Sequence, residues 1–421
     1  MARAAVAAGG HASVMLAEAV GVLAGSPAAT CGAASPLFVD CTLGRAGHAT
    51  QLLERVPSAQ VLGVDRDRAA LGDVAWLHEA EPRLLLAHAS FCEIPGITRA
   101  MGADGRVAGM IADLGVSSIQ LDEAARGFSF RGGLEPLDMR FDQSADPPLS
   151  PGHGGVRLPA GTQFVSTRAA SPFRASQLLR GVSEPTLARA LTLLANEPKA
   201  DRIAALIADE VTTSQPGTRG SALDSCGGLA SLVAAAAGVE RHRSPGRGRR
   251  VATHPATRTF QAVRMLVNDE LGDLADWLAA APWELAPGGR VAVLTFHSLE
   301  DALVTAAFRR LLRLPGREFR KPASRATAGP TPSAEELEHN PRARSARLRV
   351  IERVSGGSAP PSWSTAALVR SLPRSLAAAV GIAGVARREA ERAAQPGDAA
   401  ASPEEDAAEA RRRRRGAGPA S

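Results

Sequence analysis

Three aspartates end apolar stretches in a pattern typical of ligand sites in open α/β proteins. Asp40 ends LFVD, Asp65 ends QVLGVD and Asp113 ends VAGMIAD. The carboxyl ends of parallel strands share one edge of a sheet, and ligands bind outside that edge. An acid that ends the second strand typically accepts hydrogen bonds from ribose hydroxyls, which is the role predicted for Asp65. Asp67 is better placed to cap the following helix.

A turn with two glycines follows the first of these strands, in FVDCTLGRAGH at 38–48. Gly44 and Gly47 would let the backbone approach a ligand, and the helix that follows would offer free N–H groups. The spacing is not GxGxxG, which argues against a dinucleotide site. An ordinary strand–turn–helix connection explains this motif, taken alone, about equally well.

Two further positions could contact a ligand at the same edge. Phe91 follows the predicted third strand, where an aromatic ring can lie against an adenine, although core packing is the commoner role of a lone Phe. After Asp113 the chain turns polar, at Ser117, Gln120 and Asp122 among others. This polar set fits a ligand site at the strand end, and a helix cap followed by a polar loop is the alternative.

The elements that would position these residues alternate between strand and helix. Strands are predicted at 37–41, 60–65, 83–88 and 107–113, with helices between them, and further strands at 290–295 and 347–353. This alternation predicts a parallel, doubly wound, Rossmann-like α/β sheet. Helices predicted at 184–195, 198–212 and 226–237 indicate a helical subdomain inserted into that sheet domain.

The sequence divides into four parts on this basis. The first part of the sheet domain spans 11–116, the helical insert 117–245, the second part of the sheet domain 246–354 and a low-complexity tail 355–421. Pro, Gly, Ser and Ala dominate 143–174, which predicts a disordered insertion. The tail is also expected to be a solvated, disordered extension, with a possible Ala-rich helix at 375–394. One long helix is predicted from about 254 to 280, and Ser298 is expected to cap the next helix.

Composition limits the classes of protein to consider. The chain has 421 residues, 45% of them hydrophobic, and a net charge of +6, which suits a polyanionic partner. Its four cysteines form no CxxC pair and no zinc-type spacing, so we expect neither a disulfide framework nor a metal site, and a reducing compartment. No stretch reaches the roughly 18–20 apolar residues of a membrane helix, so a soluble protein is expected.

Several motifs together resemble one enzyme family, the bacterial 16S rRNA cytosine-N4 methyltransferases of the MraW or RsmH type. The resemblance covers roughly 11–142 and 175–353. The combination is specific, because the HPATRTFQ and FHSLED blocks are found in few other families. The motifs that carry it are HASVML at 11–16, FVDCTLGRAGH at 38–48, DLGVSSIQLD at 113–122, RGFSFRGGLEPLDMR at 126–140, HPATRTFQAVRMLVNDEL at 254–271, FHSLED at 296–301 and NPRARSARLRVIER at 340–353.

The resemblance implies a methyl donor and a substrate. The donor would be S-adenosylmethionine, and the substrate a decoding-region cytosine of small-subunit rRNA, free or in an assembling subunit, methylated on its exocyclic N4 amine. The compartment implied is the bacterial cytoplasm, or a mitochondrial or plastid matrix if the source is eukaryotic. By position in the motifs, the cofactor contacts would be Ala46, Gly47, His48, Asp65, Phe91, Asp113 and Gln120.

Methylation of an exocyclic amine requires a proton acceptor near the nitrogen, because the lone pair of the amine is delocalised into the ring. Asp113 is the first candidate for this catalytic role and Asp138 the second. Phosphate contacts would come from basic groups in the family motifs, although solvated surface charge is the alternative for each. The arginines predicted to bind RNA are Arg126, Arg131, Arg140, Arg258 and Arg264, together with those of the loop 241–250.

One departure from the family pattern bears on function. Ala46 stands where the family has its second loop glycine, and cofactor affinity should suffer if the position requires a positive φ. Two other hypotheses therefore remain open. The chain is a methyltransferase for a different substrate, or it is a non-catalytic RNA-binding protein of ribosome assembly. The helical insert argues against the first, and retention of Asp65, Asp113 and Gln120 argues against the second.

Overall fold

The structure is a computed structural model that describes most of the chain. The described residues are 13–30, 35–130, 133–143, 155–157, 163–165, 171–214, 220–238, 254–322, 331–360 and 363–394. Arg131, the loop 241–250 and most of 143–174 lie outside them. None of the helices in this part of the chain is both long and apolar enough to cross a bilayer.

Nine strands and seventeen helices are named here in chain order. The strands are β1 (Leu37–Asp40), β2 (Gln60–Asp65), β3 (Leu84–His88), β4 (Val107–Asp113), β5 (Gly155–Arg157), β6 (Gln163–Val165), β7 (Leu285–Thr295), β8 (Phe319–Arg320) and β9 (Arg347–Arg353). The helices are α1 (Leu16–Ala24), α2 (Pro27–Thr30), α3 (Gly47–Arg55), α4 (Arg68–Asp73), α5 (Ala75–Ala80), α6 (Ile94–Ala100), α7 (Ser118–Asp122), α8 (Ala175–Gly181), α9 (Glu184–Ala195), α10 (Ala200–Thr213), α11 (Cys226–Ala236), α12 (Ala256–Asn268), α13 (Glu270–Ala280), α14 (Ser298–Leu311), α15 (Ala334–His339), α16 (Thr365–Arg370) and α17 (Arg374–Ala394).

Seven strands form one sheet in the order β3-β2-β1-β4-β7-β9-β8. Strands β1 to β4 and β7 are parallel, and β9 and β8 add antiparallel pairs at one edge. The order reverses between β1 and β4, which is the switch point where open α/β sheets bind ligands. The predicted Rossmann-like α/β fold is confirmed, and the antiparallel edge departs from an all-parallel sheet.

The central strands form because their apolar side chains face packed layers on both sides of the sheet. Every residue of β1 is buried, as are all but the last of β4. Strands covered on both faces have continuous apolar sequences instead of alternating ones. One buried cluster runs from these strands into helices α8 to α13 and α17, so the helical insert packs onto the sheet domain through a shared core.

The predicted long helix at 254–280 is two helices. Asp269 separates α12 from α13 because its backbone is left-handed, with φ 52°. Capping of α14 also differs from expectation. His297, and not Ser298, precedes the first turn, and its ring accepts the N–H of Glu300, whose carboxylate in turn accepts the N–H of His297.

The expectation of disorder beyond 355 is wrong for residues 363–394. Helices α16 and α17 form there, and Leu368, Ala383 and Ala386 are buried in the main core. An Ala-rich helix was expected at 375–394 within that tail, but its burial was not, because alanines supply many of its buried positions. Residues 395–421 lie outside the described part of the chain. Within 143–174, the structure describes residue 143, the antiparallel pair β5–β6 and residues 171–174.

Candidate active site

A cavity of about 840 Å³ opens where the strand order reverses. Residues that follow β1, β2, β3 and β4 form one side of its wall, and residues of α12, α13 and α14 form the other. The volume is within the roughly 300–1,000 Å³ of small-molecule and cofactor sites. Asp65 and Asp113 line it, together with Phe91 and Gln120, as the strand-end argument predicts.

The Asp65 carboxylate is oriented by two backbone groups. The N–H of Gly44 donates to Oδ2 at 2.8 Å, and the N–H of Asp67 donates to Oδ1 at 2.8 Å. Burial raises the pKa of Asp65 to about 6, although these two hydrogen bonds oppose the shift. The group is therefore mostly ionised at neutral pH and can accept further hydrogen bonds from a ligand in the cavity.

Ala46, Gly47 and His48 are not among the residues that line the cavity. Gly47 packs so closely against the N-terminal segment that a Cβ on it would lie 2.1 Å from the Ser13 hydroxyl. His48 is buried, its Nε2 lies 3.2 Å from the carbonyl oxygen of Val14, and burial lowers its pKa to about 4. Since Ser13 and Val14 line the cavity, Gly47 and His48 support its wall from behind.

Asp67 joins the strand-end loops into one network. Its side chain accepts the N–H of Ala69 and so caps α4, as predicted. It also accepts Gln120 Nε2 at 2.8 Å and Arg126 Nη2 at 2.7 Å. Arg126 is buried and donates as well to the carbonyl of Phe141, so the prediction of a surface arginine for RNA fails because this guanidinium compensates a buried carboxylate.

Asp138 and Arg140 satisfy each other away from the cavity. Both are buried, and the carboxylate accepts two hydrogen bonds from the guanidinium, at 2.7 and 2.8 Å. Arg174 lies 3.4 Å from the same carboxylate. Neither Asp138 nor Arg140 lines the cavity, so the structure does not bring either to the place where the sequence analysis expects a proton acceptor or a phosphate contact.

Asp113 is the carboxyl group whose environment best fits proton transfer. Burial raises its pKa to about 8, and the negative charges of Asp40, Glu300 and Glu336 add to the shift. Its Oδ1 is buried without a hydrogen-bond partner among the described residues. A carboxyl group with a spare acceptor and a pKa near the working pH is suited to general base catalysis.

The charged group on the opposite wall contains Arg264, which the sequence analysis assigned to RNA, and two glutamates that it did not assign. The Arg264 guanidinium donates two hydrogen bonds of 2.7 Å to Glu270, and Nε2 of His297 lies 3.0 Å from Oε1 of Glu300. Glu270, His297 and Glu300 offer possible metal-ligand atoms within 4.8 Å of one another. Both Glu270 oxygens already accept Arg264, which argues against a cation there. These residues lie in the motifs HPATRTFQAVRMLVNDEL and FHSLED, which were the signal that pointed to this wall.

Aromatic rings supply much of the apolar wall. Phe91 packs edge-on against Trp277, with ring centroids 6.0 Å apart. Phe130 stacks on His254 at 4.3 Å and meets Phe260 edge-on at 5.2 Å. Flat apolar surfaces of this kind suit planar ligands such as nucleobases.

The remaining predicted arginines divide between the surface and the undescribed residues. Arg258 is exposed on α12 and donates to the carbonyl of Asn196 at 3.2 Å. Arg264 lies in the cavity wall, and Arg131 is outside the described part of the chain. Of the five arginines, Arg258 is therefore the described one that is free to meet a phosphate on the surface.

Comparison with known proteins identifies a family. The model of the MraW methylase family matches residues 8–148 and 167–354, which leaves out the centre of the predicted insertion. The chain is 37% identical over 376 residues to ribosomal RNA small subunit methyltransferase H of Methylobacterium sp. (strain 4-46), with 86% of the chain and 97% of the relative covered. It is 40% identical over 356 residues to the protein of that name from Anaeromyxobacter sp. (strain Fw109-5), with 82% and 98% covered.

Proposed function

The chain belongs to the MraW methylase family, and on that premise we propose that it methylates small-subunit ribosomal RNA. The donor is S-adenosylmethionine, and the acceptor is the exocyclic N4 amine of a decoding-centre cytosine. The observation that carries the proposal is the cavity at the strand-order reversal, which joins Asp65 and Phe91 to Asp113. The substrate is rRNA or the assembling small subunit, as in the similar proteins, which are named for that activity.

The residues at one end of the cavity fit the proposed donor. Asp65, held by two backbone N–H groups, can accept hydrogen bonds from ribose hydroxyls. The ring of Phe91 lines the cavity just after β3 and can lie against an adenine. When bound, S-adenosylmethionine supplies an electrophilic methyl group on its sulfonium sulfur.

Asp113 is the residue proposed to accept the proton that the N4 amine loses. An amine that is conjugated with a pyrimidine ring is a poor nucleophile, so it must be held about 3–3.5 Å from the methyl carbon. As the N–C bond forms and the S–C bond breaks, the amine loses a proton. The Asp113 carboxylate, which lines the cavity, accepts that proton and later releases it to water. Because burial raises its pKa to about 8, the rate should increase as pH rises toward 8 and above.

The test is transfer of label from S-adenosylmethionine to small ribosomal subunits that lack the modification, followed by nucleoside analysis. Labelled N4-methylcytidine is the expected product. Label in another nucleoside, or in protein, would favour a methyltransferase with a different substrate. Failure to bind S-adenosylmethionine in a titration would favour the non-catalytic assembly protein.

Two variants separate binding from chemistry. Asp65→Ala should weaken binding of S-adenosylmethionine, because it removes an oriented acceptor from the donor end. Asp113→Asn keeps a hydrogen-bonding side chain at this position, so it should weaken that binding less than Asp65→Ala does and lower kcat by a factor of roughly 100 or more, the usual contribution of a general base. Asp301→Asn, which lies outside the cavity lining and pairs with Arg349, is the control and should change neither quantity.

A further inference from the structure

The Arg264–Glu270 pair lies in the cavity wall, where it differs from an ordinary structural ion pair. Nε and Nη2 of Arg264 are engaged by the two Glu270 oxygens, which fixes the plane of the guanidinium. Among the described residues no hydrogen bond of Nη1 is seen, and Arg264 lines the cavity. A charged donor held in a fixed plane is therefore part of the cavity wall.

The surroundings of Arg264 suit a flat, neutral ring with polar edges. Phe260 lies one helical turn before Arg264 on the same face of α12, and both line the cavity with Phe296. Glu300 is close enough to affect the pKa values of both Arg264 and Asp113, so donor and acceptor groups share one end of the cavity. Burial is the largest influence on the pKa of Arg264 and lowers it, but the charge and hydrogen bonds of Glu270, together with the charge of Glu300, raise the pKa overall.

The donors and acceptors along the polar edge of cytosine match the acceptor and donor groups of the cavity wall. Its N4 amine donates, whereas the adjacent N3 and O2 both accept. A phosphate fits less well, because the negative charges of Asp65, Glu270 and Glu300 line the same cavity. Uracil would turn an N3–H donor toward the guanidinium, so the two N–H groups that meet there would both lack an acceptor while O2 still accepts, which disfavours uracil.

We propose that Arg264, held by Glu270, is the specificity-determining residue that donates through Nη1 to N3 and O2 of the acceptor cytosine. The contact aligns N4 with Asp113 and the methyl donor. This assignment rests on the proposed function, since it concerns how the same cavity binds its base.

The experiment pairs an Arg264 variant with an altered base. Small subunits are reconstituted with rRNA that carries either cytidine or 3-deazacytidine, in which CH replaces N3, at the target position. Each change alone should lower kcat/KM by roughly 10- to 100-fold, the loss expected for a hydrogen bond to a charged group. Combined, Arg264→Ala and 3-deazacytidine should lose little more than either alone, because they remove the same contact.

The combined measurement is robust to the altered reactivity of the analogue, since that change affects both enzymes equally. If the two losses in kcat/KM multiply fully and the wild-type protein is active, the assignment of Arg264 is wrong, whereas the proposed function is unaffected. A wild-type protein that forms no N4-methylcytidine would overturn the proposed function and this assignment with it. Binding of S-adenosylmethionine should be unchanged in Arg264→Ala, and a loss there would mean that Arg264 acts on the donor end instead.

Arg349→Ala is the matched control. Arg349 makes the same two-bond contact with Asp301, at 2.7 and 2.9 Å, but neither residue lines the cavity. Its loss should lower the melting temperature and leave the preference for cytidine over 3-deazacytidine unchanged. If Arg264→Ala fails to fold, the same comparison can be made with Arg264→Lys. Lysine keeps a positive charge beside Glu270 but lacks the planar guanidinium with its fixed donors.

Discussion

Ala46 occupies a backbone conformation that normally requires glycine. Its φ of 60° and ψ of 25° are left-handed, at the turn before α3. Left-handed geometry costs an L-residue about 1–2 kcal/mol, whereas glycine adopts it freely. Ala46→Gly should therefore raise the free energy of unfolding by up to about 1 kcal/mol, since loss of a buried methyl group offsets part of the gain. Urea denaturation measures the change.

The control for Ala46 is the same substitution in a helix. Ala208→Gly, in the middle of α10, should lower the free energy of unfolding by about 1 kcal/mol. If both variants lose stability equally, the turn before α3 is not strained. A titration with S-adenosylmethionine on the same samples shows whether that strain reaches the cavity wall that Gly44 and Arg45 form.

Asp113 should make the ligand-free protein less stable as pH rises. Burial raises its pKa to about 8, so between pH 4 and 8 the folded protein keeps a proton that the unfolded chain releases. Stability falls with pH wherever the folded state binds more protons. Asp40, with a pKa of about 7, and Asp65, with one of about 6, act in the same direction. Asp113→Asn should flatten the decline, as measured by urea denaturation between pH 5 and 8.5.

Asp301→Asn provides the opposite case. Arg349 lowers the pKa of Asp301, so the stability from this pair is fully present above about pH 4 and is lost only in acid. The variant should reduce stability by a constant amount from pH 5 to 8.5 and leave the slope as in the wild type. An unchanged slope in Asp113→Asn would show that Asp113 ionises normally in the folded protein.

Helix α17 is held against α8 by close backbone contact. A Cβ placed on Gly181 would lie 2.6 Å from Cα of Ala390, so Gly181→Ala must push the two helices apart. Overpacking of this kind typically costs about 1–3 kcal/mol. Gly381→Ala, within α17 and with nothing within 4 Å of the new methyl group, should instead stabilise by up to about 1 kcal/mol. Thermal denaturation of both variants tests the docking of α17, and equal shifts would contradict it.

Strands were easier to predict than the packing of the C-terminal helices for a physical reason. The central strands are buried on both faces, so β2 and β4 are continuous apolar runs between polar turns. In α17 the buried face consists largely of alanines, and their small side chains give little contrast with the exposed face. The break at Asp269 follows from its left-handed backbone, which helix propensity does not anticipate.

Site residues at strand ends were predictable because topology alone brings them to one edge. Asp65, Phe91, Asp113 and Gln120 line the cavity for that reason. The contacts of the positively charged residues were not predictable, because the sequence does not show whether a guanidinium has a buried partner. Arg126 meets Asp67 from 59 positions away in the chain. The pair that Arg264 forms with Glu270 also depends on the turn between two helices.

At the scale of the whole molecule, the net charge of +6 overstates the charge offered to RNA by the described arginines. Arg66, Arg126, Arg140 and Arg290 are partly or fully buried in ion pairs with carboxylates. In each pair the carboxylate neutralises the guanidinium, so the pair contributes little to the electrostatic potential at the surface. Binding of rRNA therefore depends on exposed groups such as Arg258, whose contribution salt can reveal.

Arg258→Ala should reduce the salt dependence of rRNA binding. Each phosphate contact to single-stranded or duplex nucleic acid contributes about 0.7–0.9 to the slope of log K against log salt concentration. The variant should lower the magnitude of that slope by this amount, as measured by filter binding from 50 to 200 mM salt, concentrations across which such contacts weaken strongly. Arg55→Ala is the control. Arg55 is exposed at the end of α3, and this helix runs from the carboxyl edge of the sheet to the opposite edge. Equal slopes in wild type and Arg258→Ala would place the RNA on another face.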